Sequence, residues 1–350
     1  MAESYFILSP KDQGEVLLKA TDATGRPAYL LEKDVWVVWT LGVLFTQAFG
    51  AHLVFKGGTS LSKAYGDILN RFSEDIDLTY DIRKLIPDLV GEGDEPLPPS
   101  NSQQRKWTKA ARAALEQWVQ EHVQPAVRTA LDAQGLDAKL ELVADEKGVS
   151  LKLEYSPVTP ANDYVKPIVV MEFGGRSTGE PAQERNVVCD AATAVPAVSF
   201  PEAKPRVMAA ERTFWEKATA AHVYCRSGVL SPRYARHWHD LVRLDAAGIG
   251  DGAIADRSLA KQVAEHKQAF FSEKDVDRTT IAYDEAINGG LQLVPTGEAL
   301  QHLKEDYESM VANGLLEGTP ISFDALMANC ATLTDKCNAA GRDALPAPPA

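Results

Sequence analysis

Cysteine is scarce: four residues in 350 (Cys189, Cys225, Cys330 and Cys337) supply no disulfide framework. Positive charge is also short. With 36 Lys and Arg against 49 Asp and Glu, the formal net charge is −13, which speaks against a surface that coats nucleic acid by charge alone. A local basic groove for one structured RNA stays compatible with it. The N-terminus, MAESYFILSPKDQGE, has no basic stretch leading into an apolar one, so no signal peptide is expected. One run, Val35 to Phe55, lacks Asp, Glu, Lys and Arg and is long enough to span a bilayer. Thr40, Thr46, Gln47 and His52 interrupt it, and Phe49-Gly50-Ala51 reads as a break between a buried helix and a strand. The expectation is therefore no membrane span and a cytoplasmic protein. Internal repeats are absent. So are a Gly-x-Ser-x-Gly elbow, a Walker loop and a dinucleotide fingerprint, which leaves hydrolase, ATPase and dehydrogenase readings without support.

What is present is ordinary globular composition, 45% hydrophobic and 24% charged, in a chain long enough for two domains. The most informative stretch is LVFKGGTSLSKAYGDILNRFSEDIDLTY, Leu53 to Tyr80. Leu53-Val54-Phe55 favours a strand, Gly57-Gly58 a turn, and Thr59 or Ser60 caps a helix reaching about Leu69. After Arg71-Phe72-Ser73 the pattern alternates through Glu74-Asp75-Ile76-Asp77-Leu78. On a strand, Ser73, Asp75 and Asp77 share one face, with Ile76 and Leu78 on the other. Two carboxylates so close call for a cation between them, and a glycine turn at a helix N-terminus suits phosphate. The combination points to nucleotidyl transfer. Asp75 and Asp77 are the expected ligands of Mg²⁺, with Glu172 as a third carboxylate for a second ion. Gly57, Gly58, Thr59 and Ser73 would grip the β- and γ-phosphates, and Lys56, Lys63 and Arg71 are available to balance charge.

Around this stretch the pattern predicts a loose lead-in over 1–30 and a buried helix from Leu31 to Ala48, with Glu32 and Asp34 in its first turn. A flexible loop is expected over 91–104 and a helix over 105–133, kinked or ended at Pro125. A hairpin of Ala138–Val143 and Ser150–Tyr155 about Glu146-Lys147-Gly148, a core strand at Lys166–Phe173 and a short one at 187–189 follow. From about Pro205 the chain turns helical: 206–226, 234–245, 251–271, 297–312 and 322–337. The expected architecture is mixed α/β, with a catalytic domain over 1–200, a helical domain over 201–338 and a disordered Pro/Ala-rich tail over 339–350.

The helical half holds a second constellation, ERTFWEKATAAH (Glu211–His222) and RHWHDLVRL (Arg236–Leu244). Thr213, Lys217, Ala221 and Tyr224 fall on one helical face. Two bland pairings compete with a functional one: Arg212 with Glu216, and Asp240 with Arg236. His222, Cys225, His237 and His239 also offer zinc-type ligands, though their spacing is looser than that of structural zinc sites.

Taken together, FKGGTSLSKAYG, RFSEDIDL, ERTFWEKATAAH and RHWHDLVRL resemble, in order and spacing, the AbiEii/AbiGii-type (MenT-like) nucleotidyltransferase toxins over roughly residues 30–250. The resemblance implies a DNA polymerase β-like nucleotidyltransferase fold followed by a helical C-terminal domain. It implies Mg²⁺-dependent transfer of nucleotides from an NTP to the 3′ end of tRNA, and a cognate antitoxin encoded alongside. Residue by residue, the family's serine and aspartate fall on Ser73 and Asp75, with Asp77 completing the pair, and its later lysine and aspartate fall on Lys217 and Asp240. Lys217 would then meet the triphosphate or departing pyrophosphate, and Asp240 would orient Lys217 or the acceptor. Two other readings stand beside this one: transfer to a protein hydroxyl or to a small molecule such as an aminoglycoside, and an inactive NTP-binding module.

Overall fold

The computed structural model describes residues 2–344 except 67, 74, 92, 95, 146–147, 161–164, 230 and 232. Contacts divide the chain into two compact units, one of Met1–Ala64, Ser73–Pro96 and Lys106–Met208, the other of Tyr65–Phe72, Leu97–Arg105 and Ala209–Ala350.

The first unit opens with a helix where a loose lead-in was expected. Helix α1 (Pro10–Thr24) starts with Pro10 in its first turn, and Ser9 caps it by accepting from the Asp12 N–H at 3.2 Å. Gly25 ends it at φ +73°. Proline in the first turn and glycine just past the last mark the two ends of this helix. Helix α2 (Ala28–Phe45) is buried along most of its length. Because it begins three residues earlier than expected, Glu32 and Asp34 lie beyond its first turn and do other work. Glu32 accepts the N–H groups of Val158 and Thr159 at 2.7 and 3.1 Å, and Asp34 receives Lys63.

Strand β1 (Leu53–Lys56), helix α3 (Gly57–Ala64) and strand β2 (Ile76–Tyr80) form the strand–helix–strand unit read in the sequence. Helices α4 (Asn101–Trp118) and α5 (Gln124–Gln134) flank a π-helical turn at Val119–Val123. Pro125 lacks the N–H that would continue the ladder, and the wide turn just before it absorbs the mismatch. The start of α4 at Asn101 corrects the 91–104 loop, whose last four residues are helical. Strands β3 (Ala138–Ala144), β4 (Val149–Tyr155), β5 (Ile168–Gly174), β6 (Ala182–Glu184) and β7 (Arg206–Met208) complete the sheet. Among the described residues it has seven strands in the order β3-β4-β5-β2-β1-β7-β6. β5 runs parallel to β2 and β1 parallel to β7, while the other neighbours are antiparallel, so the sheet is mixed. On β5, Val169, Met171 and Phe173 are buried and Glu172 is exposed, the alternation expected of a half-buried strand. The β3–β4 hairpin forms as expected; its turn residues Glu146 and Lys147, like Glu74 before β2, lie outside the described residues.

The second unit is helical: α6 (Ala210–Ser227), α7 (Arg236–Ala246), α8 (Ile249–Ala255), α9 (Arg257–Phe270), α10 (Gly297–Ala312) and α11 (Phe323–Asp343). The helix expected from Arg206 begins only at Ala210, because 206–208 join the sheet as β7. The helix expected over 251–271 is two, divided at Asp256, whose side chain caps α9 by accepting from the Leu259 N–H at 3.0 Å. Helix α11 overruns the expected start of the tail to Asp343. Gly341 there packs so closely on residues 287–289 that a Cβ would lie 2.6 Å from the Gly289 nitrogen. Residues 345–350 of that tail lie outside the described residues. Trp215 and Trp238, both fully buried, donate their indole N–H to the carbonyls of Ala253 and Leu293. Among the described residues no helix is long and apolar enough to cross a membrane.

Candidate active site

The sheet register gathers half of the expected site in the first unit. Asp77 on β2 is paired with Lys56 on β1 and with Glu172 on β5, and Glu172 with Ser150 on β4. Register partners on adjacent strands point to the same face, so Lys56, Asp77, Glu172 and Ser150 form one row across four strands. Asp75 precedes β2 by one residue, so the alternation first drawn from Glu74 begins only at Ile76.

Gly57 takes a conformation and a place that other residues would not tolerate. Its φ is +78°, and a Cβ built on it would stand 2.1 Å from Asp77 Oδ2 and 2.9 Å from Cγ. The carboxylate of Asp77 is thus packed against the bare backbone of the β1–α3 turn, at the N-terminal end of α3. Gly58, Thr59 and Ser60 are buried behind it. Ser60 Oγ donates to the Gly57 carbonyl at 2.9 Å, and the hydroxyls of Thr59 and Ser73 lie 2.7 Å apart. Ser73 is therefore tied directly to the α3 N-terminal turn, a link that spacing alone did not show.

Lys63 stands elsewhere, and this corrects its expected place among the phosphate cations. Its ammonium is buried and lies 2.6 Å from both Asp34 Oδ1 and Asp190 Oδ1. Asp34 Oδ2 accepts the Asp190 N–H at 2.7 Å, and Arg26 binds Asp190 from the other side. Burial by itself would lower the lysine pKa, but the two carboxylates overcome it and raise it. Lys63 locks α3 to α2 and to the loop at residue 190. Neither Arg26 nor Asp190 carries any local sequence signal of this role.

The other half gathers in the second unit. Asp240 on α7 is fully buried and accepts from Arg71 through both oxygens, Nε at 2.6 Å and Nη2 at 2.7 Å. Lys217 Nζ on α6 lies 2.8 Å from Asp240 Oδ2. Burial would raise the Asp240 pKa, but Arg71 and Lys217 outweigh it and hold the carboxyl far below its ordinary range. The expected pairing of Asp240 with Arg236 is replaced by these two cations. The expected Arg212–Glu216 pair is present at 3.4 Å. Arg71, read as a phosphate ligand, has its guanidinium clamped on Asp240.

Two histidines of the zinc alternative, His222 and His239, are hydrogen-bonded to backbone. His222 Nδ1 accepts the Gln292 N–H at 3.2 Å, and His239 Nε2 donates to the Leu69 carbonyl at 2.7 Å. Burial pushes the pKa of His222 down to about 4 and lowers those of His237 and His239. A depressed histidine pKa means that the unfolded chain takes up protons that the folded one refuses. Stability should then fall as the pH drops below about 6.5, by about 1.4 kcal/mol per pH unit for each such histidine. Urea denaturation at pH 7.5, 6 and 5 measures the slope, and His222→Gln should remove one proton's share of it.

Among the described residues no three His, Cys, Asp or Glu side chains converge closely enough to enclose a metal ion. The donors of the first unit are nonetheless the right kind for a hard divalent cation. Asp77 and Glu172 are neighbouring carboxylates with Asp75 close in sequence, and Mg²⁺ completes its sphere with water and phosphate oxygens. The donor set fits such an ion.

No curated protein sequence matches the chain. Among solved structures, the nucleotidyltransferase toxin MenT4 of Mycobacterium tuberculosis H37Rv aligns over 97% of this chain and 91% of its own, with 18% identity and a TM-score of 0.45. That likeness is too distant to bear on substrate. The sequence profile of the family described as Nucleotidyl transferase AbiEii toxin, Type IV TA system, matches residues 41–329, most of the chain. The protein belongs to the AbiEii nucleotidyltransferase toxins of type IV toxin–antitoxin systems.

Proposed function

We propose that this enzyme transfers nucleotides from an NTP to an RNA acceptor, the 3′ end of tRNA, in a Mg²⁺-dependent reaction that blocks translation. Family membership supplies the coarser statement: a nucleotidyltransferase toxin, with an NTP as donor and a cognate antitoxin as its counterpart. The observation that carries the reading is the carboxylate of Asp77 seated against Gly57 at the start of α3, in one row with Glu172 and Lys56.

In the proposed reaction an acceptor hydroxyl oxygen bonds to the α-phosphorus. The bond from that phosphorus to the bridging oxygen breaks, pyrophosphate leaves, and the hydroxyl proton is released. Mg²⁺, when bound, would neutralise phosphate charge and lower the pKa of the attacking hydroxyl. Asp75, Asp77 and Glu172 would hold it. The N–H groups of Gly58 and Thr59 and the Ser73 hydroxyl would bind the β- and γ-phosphates, with Lys56 as the nearby cation. Lys217, positioned by Asp240, would stabilise the charge that develops on pyrophosphate.

The test is incubation of the purified protein with Mg²⁺, each α-labelled NTP in turn, and total tRNA. Label on RNA is expected with one or two of the four NTPs, and Lys217→Met should reduce its rate about tenfold or more. Label on a protein band, or on an added aminoglycoside and not on RNA, would replace the tRNA acceptor with one of those. No transfer to any acceptor would leave an NTP-binding module.

A further inference from the structure

The Ile68–Phe72 segment is fastened along its whole length within the second unit. Arg243 Nε donates to the Ile68 carbonyl at 3.0 Å and His239 to that of Leu69. Residues 70–72 run antiparallel to 315–317: Glu317 N–H donates to the Asn70 carbonyl and Phe72 N–H to the Leu315 carbonyl, each at 2.9 Å, with Arg71 opposite Leu316. Asn70 is held at φ +47°, a conformation few non-glycine residues adopt. The backbone of Arg71 is thus fixed on both sides, and its guanidinium, 3% exposed with the rest of the residue, is aimed at Asp240.

We infer that Arg71 is a positioning residue: it fixes the Asp240 carboxylate so that Asp240 places the Lys217 ammonium. This inference rests on the reading of Lys217 as the cation for the triphosphate. A lone carboxylate and a lysine make a loose pair, because the ammonium is a point charge on a flexible stem and the carboxylate is free to rotate. Arg71 removes that freedom. Its two parallel hydrogen bonds set the plane of the carboxylate, and Lys217 then meets Oδ2 in one direction only. Lys217 engages Asp240 through Oδ2, at 2.8 Å. Arg71 lies two residues before Ser73 and four before Asp75, so the clamp is built into the same sequence block as the phosphate-binding and metal-binding candidates.

Two variants and one chemical probe test this. Arg71→Lys keeps the charge but cannot span both oxygens, and kcat for label transfer should fall about tenfold with KM for the NTP within about twofold. In a Lys217→Met background the same change should cause no further fall, since nothing is left to position. Arg71→Ala, assayed with millimolar methylguanidinium, should regain part of its rate. A purely structural role would lower the melting temperature in both backgrounds and leave the probe without effect. Wild-type kcat in Arg71→Lys, or full additivity with Lys217→Met, overturns the role of Arg71. An inactive Arg71→Ala that the probe fails to rescue, together with a melted Arg71→Lys, assigns Arg71 to folding and overturns it as well. Wild-type kcat in Lys217→Met overturns the reading of Lys217 itself, and this proposal with it, which keeps the two failures apart.

Discussion

Gly57→Ala should cost label transfer about a hundredfold or more, as much as Asp77→Asn, though it removes no functional group. Two effects act at once. The first is backbone strain: φ is +78°, and an L-residue held in the left-handed region costs roughly 1–2 kcal/mol. The second is steric. The new methyl would stand 2.1 Å from Asp77 Oδ2 and 3.0 Å from its Cβ, so the carboxylate must move by more than an ångström-scale adjustment to make room. A displacement of that size at the reacting centre is what costs catalysis. Gly25→Ala separates the two effects. Gly25 has φ +73° and nothing within 4 Å of an added Cβ, so it shares the strain without the collision. Gly25→Ala should lose only the strain's share of stability in urea and keep transfer, while Gly57→Ala should lose more stability and lose transfer. Equal activity in the two would show that Asp77 does not depend on the cradle.

Lys63→Met should destabilise the first unit by about 3–5 kcal/mol. Methionine fills the space, but Asp34 then stays buried with the Asp190 N–H and no cation, and breaking one partner out of a buried ion pair leaves an uncompensated charge. The pH dependence has a definite sign. Burial raises the Asp34 pKa, and loss of Lys63 removes the largest opposing influence. A carboxylate whose pKa is raised in the folded state makes folding more favourable as the pH falls through that value. The stability difference between wild type and Lys63→Met should therefore shrink as the pH is lowered from 8 toward 5, since the variant protonates Asp34 and wild type keeps it paired. Pairing Lys63→Met with Asp34→Asn should recover much of the loss at pH 8. Urea midpoints for the four proteins across that range decide it, and additive losses would show that the ammonium and Asp34 act separately.

The strand–helix–strand unit was legible because its signals are local. β-favouring residues, a glycine pair and period-two alternation lie within thirty residues of one another. The same holds for the β3–β4 hairpin and for α10, whose bounds match the expected 297–312. The errors have physical causes. The lead-in over 1–30 looks loose because it holds proline and glycine, yet Ser9-Pro10 and Gly25 mark the ends of α1. Residues 206–208 look helical in sequence but form an inner strand between β1 and β6, a choice made by tertiary pairing. For the candidate site, residue types were readable but their partners were not. Lys63 and Arg71 both looked like spare cations beside a phosphate cradle. One is consumed by carboxylates at residues 34 and 190, the other by a carboxylate 169 positions away. Nothing in a linear sequence says which acid a given base will meet across such distances.

That last separation has a consequence for how the toxin is made. On a ribosome adding roughly 5–20 residues per second, Arg71 emerges on the order of ten to thirty seconds before Asp240 has been made. The strand-like partner of Arg71 at Leu316 comes later still, in the final tenth of the chain. Throughout that interval the nascent polypeptide already contains Gly57, Ser73, Asp75 and Asp77, yet the segment leading into them has no clamp. If Arg71 positions Asp240 as inferred above, a chain truncated before residue 316 should show no label transfer, and the nascent enzyme should stay inactive until the last tenth of it has been made.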